Sequence, residues 1–102
     1  MDKKHQELNE ESRLTQLWEA HRSAGWPSAL GSQEGELMML DTVISGCITY
    51  FLESEGELDQ QRVEILQGCL TDLDHLLPEL EEEAVPYFQR LRALGSLLLA
   101  GC

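Results

Sequence analysis

Between Glu36 and Ser54 the apolar residues recur at a helical period, and they do so along two adjacent stripes. Leu37, Leu40, Ile44, Cys47, Ile48 and Phe51 form the first, while Met39, Val43, Gly46 and Tyr50 form the second. Together they cover about two-thirds of the helix circumference, wider than the single stripe of an ordinary surface helix. Thr42, Ser45, Thr49 and Glu53 are left as a polar edge. A helix this broadly apolar requires neighbours on two sides, so it is expected at the centre of the fold.

Its neighbours are expected to be helices too. No run alternates polar and apolar residues for long enough to suggest a sheet. A first helix, about residues 8–24, carries Leu14, Leu17, Trp18 and His21 on one face, with residues 1–7 expected to fray. A third, about 58–77, aligns Leu66, Cys69, Leu70, Leu73, Leu76 and Leu77. Pro78 ends or kinks it, and "PELEEEAV" is left open as either a turn or a separate short helix. A fourth, about 83–99, accommodates Pro86 in its first turn and presents Ala84, Tyr87, Phe88, Leu91, Leu94 and Leu98.

Gly56 suits the end of the second helix, and Glu57 or Asp59 complements the dipole of the third. The segment "GWPSALGSQEG" between the first two helices is the one long Gly/Pro loop. The expected fold class is therefore all-α: a small antiparallel bundle of four helices with a longer Gly/Pro loop after helix 1. Residues 1–102 are expected to form a single helical domain.

Charge narrows the function classes. The chain carries a net −12, and residues 53–83 hold eleven acids against one base, Arg62, a local −10. Such a surface repels phosphate, so neither nucleic acid nor an anionic membrane is an expected partner. The polar opening "MDKKHQELNEES" has no signal-like apolar stretch, and three cysteines do not make the framework of a small secreted domain. The expected location is cytoplasmic.

Gly-Cys recurs at residues 46–47, 68–69 and 101–102, but the cysteines lack the close pairing of a structural zinc site. They are read as small apolar residues, and no metal or cofactor is expected. Gly46 falls on an apolar stripe, where it would admit a neighbouring helix; Gly68 falls on a polar face, where no packing reason is visible. "DLDH" at residues 72–75 is too short for a calcium loop. Catalytic patterns such as a serine elbow, a phosphate loop or a paired-His motif are absent, and no enzyme activity is expected.

Two groups of residues remain as candidates. His21 and Asp41 are polar residues on or beside otherwise apolar arcs; the favoured reading is that each is satisfied locally or by solvent, and the sharper alternative is a candidate buried pair between them. Trp26 in the loop, with Leu97 and Leu99 widening the apolar arc of the fourth helix, is a candidate interface. The leading expectation is a small acidic helical protein acting by protein–protein interaction, with a partner protein or with itself as a homodimer. The alternative is an antitoxin- or immunity-like acidic inhibitor of a basic partner. A small-ligand binder or enzyme using His21 and Asp41 ranks third.

Overall fold

The computed structural model describes residues 2–28 and 30–101, with side chains described from residue 12 onward. Four helices account for the apolar periodicity: α1 (Asp2–Ser23), α2 (Glu34–Glu53), α3 (Gln60–Leu76) and α4 (Val85–Ala100). Single 3₁₀ turns at Gly31–Gln33 and Leu77–Glu79 precede α2 and follow α3, and no strand occurs among the described residues. Pro78 thus sits in a 3₁₀ turn, where its missing N–H breaks no α-helical ladder. α1 is helical from Asp2, ahead of the apolar pattern; Lys, Gln, Glu and Leu are good helix formers without any packing.

The link between α2 and α3 is a tight C-terminal motif. Gly56 donates its N–H to Phe51 O at 2.9 Å, and Ser54 donates to Tyr50 O at 2.9 Å. Both Glu55 (φ 59°) and Gly56 (φ 85°) are left-handed, a conformation that suits the glycine and is unusual for the glutamate. Asp59 then caps α3, accepting the Arg62 backbone N–H at 2.8 Å. That bond, reinforced by the Arg62 guanidinium, holds the Asp59 carboxyl below its ordinary pKa.

The helix at the centre is α4, not α2. The backbone of α4 comes close to α1, α2 and α3, whereas α2 lies close to α3 and α4 and meets α1 through side chains alone. The apolar arc of α2 is wide, but its second stripe has no helix over it: Met39 is 59% exposed, and a Cβ on Gly46 would meet nothing within 4 Å. Arc width shows how apolar a helix is and leaves open where its neighbours lie.

Gly95 is what admits close neighbours to α4. A Cβ there would lie 2.6 Å from Leu70 Cδ2, inside any real contact distance, so α3 approaches α4 through the missing side chain. Around this crossing Phe88, Leu91, Leu94 and Leu98 are fully buried, at about 1.5–3 kcal/mol for each side chain. Arg92 ties the same two helices at their rim. It donates from Nε and Nη2 to the two carboxylate oxygens of Asp74, at 2.9 and 3.1 Å, and from Nη1 to Ser96 Oγ. The Asp74 carboxyl is held below its usual pKa by that hydrogen bonding.

Gly68 and Gly95 therefore respond oppositely to the same change. Gly68→Ala meets open space within α3 and is expected to stabilise the protein by about 1 kcal/mol. Gly95→Ala overpacks the α3–α4 crossing at about 1–3 kcal/mol, which exceeds the gain in helix propensity. Urea unfolding midpoints measure both; an unharmed Gly95→Ala would disprove the close crossing.

Candidate functional site

His21 and Asp41 meet. His21, 5% exposed near the end of α1, places Nε2 2.8 Å from Asp41 Oδ1 on α2. Tyr87, in the first turn of α4, donates its O–H to the same oxygen at 3.1 Å. One carboxylate oxygen thereby joins three helices. The imidazole lies between the Trp18 ring, nearly parallel at 6.1 Å, and the Tyr87 ring at 4.5 Å.

The bond to Asp41 assigns the hydrogen to Nε2, which leaves Nδ1 as the basic nitrogen. Nδ1 is buried with no hydrogen-bond partner. A proton carrier needs access to the group it serves, and this nitrogen is buried away from any polar partner. Tyr87 is pushed up to about 12, first by burial, then by the charge of Asp41 and by the hydrogen bond to it. The phenol therefore stays a donor well into the alkaline range. The arrangement fits a fastening between helices better than an acid–base site.

The three candidate interface residues all have contacts within the chain. Trp26 closes one end of the bundle, edge-on to Tyr87 at 5.5 Å and Phe88 at 5.7 Å, and its Nε1–H reaches Glu34 Oε2 at 3.0 Å. Leu97 and Leu99 are half-buried against the core. Because α4 is central, its wide apolar arc is largely covered by its own neighbours.

Cys47 is buried and Cys69 half-buried, both as free thiols; Cys102 lies outside the described residues. Burial pushes both thiols up, with the Cys47 and Asp72 charges adding to the effect at Cys69. Neutral thiols are poor nucleophiles and poor metal ligands. Among the described residues no three His, Cys, Asp or Glu side chains are placed to hold a metal ion.

The larger unsatisfied surface lies between α2 and α3. Val43, Gly46, Cys47, Tyr50, Arg62 and Ile65 line an open groove of about 640 Å³. Ile65 is 44% exposed, and Met39 continues the same stripe along α2. The Arg62 guanidinium stacks 3.7 Å above the Tyr50 ring while pairing with Asp59, so its charge is already met. Glu53 lines the groove, and Glu64 and Asp72 lie on α3 near Ile65; none of the three pairs with a cation among the described residues.

The second stripe of α2 was visible in the sequence as an apolar surface requiring cover. Its exposure was not, because nothing local distinguishes a covered stripe from an open one. By length and composition alone residues Gly31–Glu53 would also suffice to cross a membrane, at a mean hydropathy of 1.2, and only 28% of that window is buried here. No protein family, curated protein or solved structure matches the chain.

The Tyr87 geometry predicts an alkaline stability loss. A phenol whose pKa rises from 10 unfolded to about 12 folded contributes fully below pH 10 and is lost as pH climbs towards 12. Chemical denaturation across pH 9–12 is expected to show a shallower decline in Tyr87→Phe. Identical slopes in both proteins would remove Tyr87 from the buried cluster.

Proposed function

We propose that this chain acts by binding another protein chain, and that the α2–α3 face is where it does so. The observation carrying this reading is the second stripe of α2: Met39 and Gly46 are exposed and Val43 and Tyr50 half-buried beside the exposed Ile65, with no further helix packed over them among the described residues. Exposed apolar surface that is contiguous, grooved and rimmed by polar groups is what interfaces offer before they form. Trp26, Leu97 and Leu99 serve the chain's own core in this reading. A homodimer, if formed, would use the same groove and not the end of α4.

The reading assigns no catalysis, since His21 and Asp41 fasten helices around a closed ring nitrogen. Free thiols at Cys47 and Cys69 fit a reducing, cytoplasmic location. The acidic-inhibitor reading retains support from the same face, because Glu53 lines the groove and Glu64 and Asp72 are exposed on α3, none of them paired with a cation among the described residues.

A photo-crosslinking residue placed at position 65, with position 82 as an exposed acidic control, tests this in extract from the protein's own source. Position 65 is expected to give an adduct of discrete mass that disappears with Met39→Glu/Val43→Glu, while position 82 gives none. Equal adducts from both positions, or an adduct unaffected by the double variant, would overturn the reading. Since Met39 is exposed and Val43 half-exposed, the double variant is expected to cost no more than about 1 kcal/mol of stability.

A further inference from the structure

The partner's chemical class follows from the groove and its rim, and this inference rests on the α2–α3 face being the binding face. We infer that the groove takes a basic amphipathic helix: an apolar stripe laid along Val43, Gly46, Tyr50 and Ile65, with Lys or Arg flanking it to meet Glu53, Glu64 and Asp72. Three observations support it.

The first is shape. The groove runs between two packed helices and offers no sheet edge, so a third helix resting in it matches the ridge-and-groove geometry of the bundle. An amphipathic helix anchored in such a groove is a recurrent mode of peptide recognition. Gly46 lines the groove, and a Cβ there would meet nothing within 4 Å, so a guest backbone can approach α2 closely at that point.

The second is charge complementarity. Within residues 53–83 Arg62 is the one base, and it is turned onto Asp59 and the Tyr50 ring. No other base in that stretch opposes an approaching Lys or Arg, and Glu53 in the groove and Glu64 and Asp72 on α3 pair with no cation among the described residues.

The third is what the same charges reject. A second copy would bring Glu53 and the exposed acids of α3 towards their own equivalents, with like charges opposed and Arg62 already paired within its own chain. An anionic lipid surface and a nucleic acid meet the same repulsion.

Three synthetic peptides test the inference by NMR on the isotope-labelled full chain. One is an 18-residue Leu/Lys amphipathic helix, the second replaces every Lys with Glu, and the third scrambles the first so that no apolar stripe forms. The Leu/Lys helix is expected to shift the amides of Val43, Gly46, Tyr50, Ile65 and Gly68 with saturation. The Glu and scrambled peptides are each expected to bind at least tenfold more weakly. Glu64→Gln/Asp72→Asn, both at exposed positions, is expected to weaken binding of the Leu/Lys helix about three- to tenfold, and added salt to weaken it further.

Equal binding of the Leu/Lys and Leu/Glu helices at the groove would overturn the basic class and leave the face itself standing. Shifts confined to Glu81–Glu83, or equal binding of the scrambled peptide, would reduce the effect to unspecific charge attraction and overturn the inference. Concentration-dependent shifts at the groove without peptide would make a second copy the occupant. No shift at the groove with any peptide or concentration would overturn the face as well.

Discussion

The close passage of α3 over α4 is the contact on which the remaining arrangement depends. With no side chain at Gly95, Leu70 occupies the space a Cβ would need, and the two helices meet nearly backbone to side chain. That proximity leaves the other sides of α4 available to α1 and α2, so one 16-residue helix serves three neighbours. Its apolar residues then suffice for the whole core. The first stripe of α2 joins that core, and its second stripe stays partly exposed, with the Arg62 side chain laid over Tyr50.

How far the sequence predicts this can be judged from particular residues. Fold class followed from periodicity, because a repeat near 3.6 with no alternating run leaves few alternatives to packed helices. His21 and Asp41 stood out because a polar residue on an apolar arc requires a partner, but local or solvent partners were the favoured expectation, and only the packing of α1 beside α2 brings the two together. The central helix could not be read in the same way. Gly46 and Gly95 both lie within apolar stripes of helices, yet one faces solvent and the other a leucine. Only tertiary packing separates them. Glu55 was equally hidden, since its left-handed backbone is imposed by the turn and not by its own preference.

Electrostatics follows a division of labour between the few bases. Arg92 bridges α3 and α4 through Asp74, and Arg62 secures the start of α3 through Asp59. Both are committed to holding helices in place. Asp41 is the exception among the structural acids, since it joins three helices by accepting from His21 and Tyr87 with no arginine against it. Most of the net charge of −12 sits on exposed acids outside these contacts.

The central position of α4 also sets an order of events during synthesis. α1, α2 and α3 all leave the ribosome before the helix on which they converge. α2 and α3 are adjacent in sequence and can pair early, as local contacts form fastest. α1 has no such companion: its helix neighbour α4 comes from the opposite end of the chain, more than sixty residues later. Until α4 emerges, the stripe of Leu14, Leu17 and Trp18 lacks the helix it packs against most closely, and α1 meets α2 through side chains such as His21 and Asp41 alone. Nascent chains stalled within α4 would present that stripe to chaperones, which makes completion of the last helix the committing step of folding.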